Sequence, residues 1–220
     1  MGKHDNALII WFEDIGIEDV PLVGGKNASL GEMYQKLTSK GVAIPHGFAI
    51  TAYAYQYLLK EAGIEDAIKD ALAGLDTHDL HNLQARGEKV RNIIRNAEFP
   101  DDLRQAIIES YKKMEAEYGS DVDVAVRSSA TAEDLPDASF AGQQETYLNI
   151  RGYDALINAC KNVLPVFSPI APSPTGTTRV LDSLTYTSPL LSKKWPVQTR
   201  PLLVLFSQLT RKAALRMRYF

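Results

Sequence analysis

Residues 124–149 read VAVRSSATAEDLPDASFAGQQETYLN, and this stretch decides how the chain is understood. Arg127 closes a short apolar run. Hydroxyls, two adjacent acids, a proline, Phe140 and Gly142 follow it. Such a segment is too polar for a core and too particular in its residue types for an ordinary loop. It fits a phosphate-handling edge built on a strand end. Arginine stays charged and presents a planar fork of donors matched to phosphate oxygens. In α/β sheets, ligand-binding groups gather where strands end. Ser128, Ser129 and Thr131 add neutral donors, and Gly142 would let the backbone approach a ligand closely. Gln143, Gln144 and Thr146 lead into the next strand. The competing reading pairs Arg127 with Glu133 or Asp134 to pin a surface loop, and the pattern leaves both open.

A second stretch, VGGKNASLGEM at 23–33, places Lys26 after two glycines at an expected helix start. A lysine there can meet a phosphate, aided by the positive end of the helix dipole. The stretch is not a P-loop, which requires Gly-Lys followed by Ser or Thr, whereas Asn27 follows here. A solvated lysine at a helix start is the plain alternative.

Working outward, the chain alternates strands and helices. Ala7–Phe12 reads as a strand. Asn27 or Ser29 would cap a helix bearing Leu30, Met33, Tyr34 and Leu37, which Gly41 ends. Residues 42–50 read as a strand interrupted by Pro45. Thr51 caps a helix to Glu61 with Tyr53, Tyr57 and Leu58 inward, and Ile64–Ala73 and Leu80–Asn96 are further helices. Pro100 opens a helix to about Tyr118. Val122–Val126 and Glu145–Ile150 are strands, and Tyr153–Asn162 is a last helix. The fold class is α/β (α+β), with a helical block inserted between strand regions.

Composition changes abruptly near Val163. Residues 1–162 hold 16 Lys+Arg and 26 Asp+Glu, whereas 163–220 hold 8 Lys+Arg and a single acid, Asp182. That second segment carries seven of the eleven prolines, no Glu and one Gly, so it is expected to be an irregular, basic, Pro/Ser/Thr-rich tail. The expected division is therefore 1–162 and 163–220. Cys160 is the only cysteine, which excludes an internal disulfide and suits a reducing cytoplasm. Its plain reading is a buried structural thiol. No apolar run, Pro201–Phe206 included, approaches the roughly 20 residues that span a bilayer. Neither a membrane nor nucleic acid is an expected partner. His78 and His81 share a helical spacing but lack a third ligand nearby, and His46 reads as a turn residue.

Together, 23–33 and 124–149 closely resemble the N-terminal nucleotide-binding region of the phosphoenolpyruvate synthase family. Pyruvate phosphate dikinase and rifampin phosphotransferase have related regions. Ile10–Phe12 and Ile44–Thr51 also fit, and the resemblance covers about residues 7–162. It implies the first half of an ATP-grasp domain, with ATP as cofactor. Lys26 and Arg127 would contact the phosphates, and Gly142 and Thr146 would line the nucleotide site. The family's full enzymes convert ATP, pyruvate and water to phosphoenolpyruvate, AMP and phosphate through a phosphohistidine, with Mg²⁺. The Mg²⁺ ligands and the phospho-acceptor motif have no counterpart in these 220 residues. The resemblance stops near Asn162, and a frameshifted origin is expected for 163–220. The chain is thus expected to be an inactive ATP-binding fragment. The alternative is a weak nucleotide-binding module, or a partner of a full-length relative.

Overall fold

A computed structural model describes residues 4, 6–76, 79–129 and 146–164, and the backbone of 202–206. The strands form one five-stranded sheet. β1 (Ile9–Trp11) pairs with β2 (Gly47–Ile50), and β5 (Leu202–Phe206) lies between β2 and β3 (Val124–Ser128). β4 (Thr146–Ile150) follows β3 at the far edge, and every neighbouring pair is antiparallel. Because β2 and β3 both run against β5, they run parallel to each other. Their carboxyl ends therefore emerge at one edge of the sheet.

Period-two alternation assigns the faces. Phe48 and Ile50 of β2 and Val124 and Val126 of β3 enter the main core. That core is completed by α3 (Ala52–Glu61), α6 (Asp101–Tyr118) and α7 (Tyr153–Val163). Ile10 and Ala49 turn the other way. They meet Val23 at the end of α1 (Val20–Val23) and Ala28 of α2 (Gly25–Leu37). A third cluster packs α3 against α4 (Glu65–Leu72) and α5 (Leu80–Asn96) through Tyr55, Leu59, Ile68, Val90 and Ile94.

Two contacts hold the site-bearing elements. Gly31 lets α2 lie directly on the chain after β1, because a Cβ there would stand 2.4 Å from the Ile15 carbonyl oxygen. Gln35 Nε2 donates to that same oxygen at 2.7 Å. On the opposite face, the buried Tyr111 hydroxyl donates to the Val122 carbonyl at 2.5 Å and accepts from the Gly152 amide at 3.1 Å. It ties α6 to the entrance of β3 and to the turn after β4.

Several elements depart from expectation. α2 starts at Gly25, with Gly24 in the cap position at φ 79° and no side-chain cap, so neither Asn27 nor Ser29 caps it. The short α1 already aligns the chain, and the glycine adopts a turn that a side chain would resist. The inward face of α3 is Ala54, Tyr55, Leu58 and Leu59 rather than Tyr53 and Tyr57, because α3 packs on the sheet and on α4–α5 at once. β3 starts two residues later than expected, and Arg127 lies inside it. Within 163–220, expected to be irregular, Leu202–Phe206 forms a strand bonded on both sides. Five consecutive apolar residues suit a strand flanked by strands. By contrast, α5 spans Leu80–Asn96 as expected, and Thr51 Oγ1 accepts from the Ala54 amide at 3.1 Å as the α3 cap.

Gly31→Ala should push α2 off the Ile15 backbone. The expected cost is about 1–3 kcal/mol, the usual range for an overpacked contact. Urea unfolding of the two proteins checks it; equal midpoints would contradict the close approach.

Candidate functional site

Arg127 is half-buried in β3, and its Nε is buried without a hydrogen-bond partner among the described residues. Its backbone stands opposite Thr146 of β4 and opposite Leu203 of β5, which in turn stands opposite Ala49 of β2 and, through it, Ile10 of β1. Residues in one cross-strand row share a face. Arg127 and the exposed Thr146 therefore share the face on which Ile10 and Ala49 meet α2.

Alternation separates Arg127 from the hydroxyl beside it. Ser128 stands in the row of Leu202 and Ile50 and is turned toward the main core, 8% exposed. Ser129, just past the end of β3, is fully buried. Neither Ser128 Oγ nor Ser129 Oγ has a hydrogen-bond partner among the described residues. Three consecutive residues thus carry buried polar atoms without partners. Each such group costs about 1–3 kcal/mol unless it is satisfied; Ser128 faces the core, and Arg127 Nε on the other face is the one a ligand there could satisfy.

Lys26 is half-buried in the first turn of α2. α1, immediately before it, touches α3, and α3 follows the carboxyl end of β2 directly. The start of α2 therefore lies toward the edge at which β3 delivers Arg127, on Arg127's own face. The rows of β2 and β3 are two strand spacings apart, about 10 Å. Asn27, expected as a cap, is instead fully buried and braces the α1–α2 junction, its Nδ2 donating to the Val23 carbonyl at 2.6 Å. Its buried Oδ1 has no partner among the described residues. A polar residue amid small ones at a helix start suggests a cap, whereas Gly24 holds the cap position and leaves Asn27 inside the first turn.

The structure thus puts Arg127 and Thr146 on the face of the sheet against which Ala28 of α2 packs. Gly142, Thr131, Gln143, Gln144, Glu133 and Asp134 lie outside the described residues, as does His78. Among the described residues, no three His, Cys, Asp or Glu side chains stand close enough to hold a metal ion. No helix there is long and apolar enough to cross a membrane. Cys160 is buried, and burial pushes its thiol pKa far up, which leaves it no nucleophilic role. His46, expected in a turn, is buried against aromatic rings.

The family model described as pyruvate phosphate dikinase, AMP/ATP-binding domain, matches residues 20–168. The chain belongs to this family. Lys26, Arg127, Ser129 and Thr146 all fall within the matched residues. A phosphoenolpyruvate synthase of Synechocystis sp. is 55% identical over 165 residues, 73% of this chain and 20% of that protein. One from Aquifex aeolicus is 55% identical over 157 residues, 71% of this chain and 18% of its own length. One from Escherichia coli is 46% identical over 158 residues, 72% of this chain and 20% of its own length. The chain spans about a fifth of the length of these curated relatives.

An orphaned buried hydroxyl is a cost to the ligand-free protein. Ser129→Ala should leave the ligand-free chain as stable or raise its stability by up to about 1 kcal/mol. Thermal or urea unfolding reads this directly. A loss of more than about 2 kcal/mol would mean the hydroxyl already has a strong partner.

Proposed function

We propose that this chain binds an adenine nucleotide by its phosphates, with Lys26 and Arg127 as the gripping cations. Gly142 and Thr146 complete the lining. The observation that carries the proposal is the Nε of Arg127 and, two residues on, the Ser129 hydroxyl, both buried without a partner among the described residues, where the Arg127 face of the sheet also bears α2. A phosphate supplies acceptors for both, and the positive end of α2 adds to the attraction. The family's own description, an AMP/ATP-binding domain, supports the choice of nucleotide. ATP-grasp architecture belongs to the same proposal, with α3–α6 as the helical block. So does a functional region ending near Asn162, in line with a family match that ends at residue 168.

In this reading the chain supplies the ATP-binding part of a phosphoenolpyruvate synthase, the activity named for its relatives. Phosphoryl transfer needs a metal, groups on both sides of the nucleotide and an acceptor in line. The described residues do not form a magnesium cage, so no step is assigned to a metal here. The 220 residues on their own are proposed to bind without turnover.

Titration of the purified chain with ATP, followed by calorimetry, should give a dissociation constant of about millimolar order, near −4 kcal/mol. Arg127→Ala and Lys26→Ala should each weaken it by about tenfold, the worth of one charge-assisted hydrogen bond. Pyruvate-dependent AMP release should be absent. Unchanged affinity in both variants would refute the site, and clear AMP release would refute the binding-only reading.

A further inference from the structure

His46 lies just before β2, is 3% exposed, and connects four elements. Its ring stacks on Tyr34 of α2, with centroids 4.2 Å apart and planes 13° from parallel. Trp11 of β1 stands at 5.0 Å and Phe12 at 6.5 Å, both tilted. Nε2 is 4.0 Å from the Glu13 carboxylate, on the 3₁₀ turn after β1. From α6, Lys113 Nζ reaches Glu13 at 3.2 Å and lies 4.0 Å over the Trp11 ring. Glu117 and Tyr118, also from α6, act electrostatically on this box. Nδ1 is buried and has no partner among the described residues. A neutral ring suits this box. A second ring proton would add a charge and place a donor where no acceptor stands.

Tyr34 is eight residues from Lys26 along one continuous helix, about 12 Å at 1.5 Å per residue. The imidazole therefore grips one end of α2 and Lys26 occupies the other. We propose that His46 is a positioning residue for Lys26: neutral, it seats α2 against β1 and α6, and protonated, it unseats the helix and weakens capture of a polyanion at its far end. This rests on the phosphate-binding reading given above.

The charged groups facing His46 oppose one another. Burial lowers its pKa from the ordinary 6.5, Glu117 and Glu13 pull it back up, and Lys113 lowers it again; the net direction is down. The folded chain therefore binds this proton less readily than the unfolded chain does. Its contribution to stability is full above the ordinary value and is lost as pH falls from there through the lowered value of the folded chain.

The test uses the full chain, titrated with ATP at about pH 7.5 and about pH 5.5, alongside His46→Gln and His46→Phe. Gln keeps a neutral polar group and Phe keeps the stack on Tyr34, so the two variants fail differently if either misfolds. Protonation of the nucleotide's phosphates is common to all three proteins. The native chain should lose about tenfold more affinity on acidification than either variant, and amide hydrogen exchange in 25–37 should accelerate in the native chain alone. Equal acid sensitivity in all three, with equal exchange, overturns the proposal. Absence of ATP binding by the native chain at the higher pH refutes the phosphate-binding reading instead, and the exchange comparison still decides whether His46 seats α2.

Discussion

Strand alternation in β3 is the constraint on which the rest depends. Val124 and Val126 are held in the main core with Phe48 and Leu156, and that commitment turns Arg127 to the opposite face. A slip of one residue would exchange the two faces and send a guanidinium into an apolar core. Burying an unpaired charge costs far more than the few kcal/mol gained from each core valine. The register is therefore steep, and the arginine is placed by residues that never touch it. β5 adds the second element of placement. Because it pairs with both β2 and β3, the two strands end at one edge, with Ile50 and Ser128 in one row across Leu202.

The candidate site holds polar atoms that are costly to bury unless something satisfies them. Arg127 Nε, Ser128 Oγ, Ser129 Oγ and Asn27 Oδ1 are buried with no partner among the described residues. Ordinary interiors satisfy nearly all such groups. The surrounding structure offsets the cost through fixed, well-packed supports. Gly31 and Gln35 pin α2 to the Ile15 backbone, the box around His46 holds its far end, and Tyr111 fixes the entrance to β3. Binding groups that are dehydrated and immobile before the ligand arrives lose little entropy when it does.

Much of this was legible in the sequence. The capping threonine gave the start of α3, and helical periodicity gave α5, which buries Leu83, Val90 and Ile94 along one stripe. The glycine-lysine turn and the valine-arginine strand end made Lys26 and Arg127 candidates, each beside a plain structural alternative. Other features depend on partners distant in sequence. Nothing local distinguishes Tyr55 from Tyr53 or Tyr57; α4 and α5 choose it by packing on α3 from the side. His46 looks like a turn residue after Pro45 until Tyr34 and Trp11 fold over it. The strand at Leu202–Phe206 carried a signal in its five apolar residues, which the prolines and sparse periodicity around it masked. Ser128 beside Arg127 reads as part of one polar group, and only the register shows that Ser128 faces the core and Arg127 the other side.

The central claim is that Lys26 and Arg127 grip one polyanion from a shared face. Backbone amide shifts of the isotope-labelled chain, followed by NMR during ATP addition, test this most directly. Concerted shifts at Gly25–Ala28, at Arg127–Ser129 and at Thr146, saturating together, are the predicted result. Shifts confined to only one of these segments, or centred elsewhere on the molecule, would contradict it.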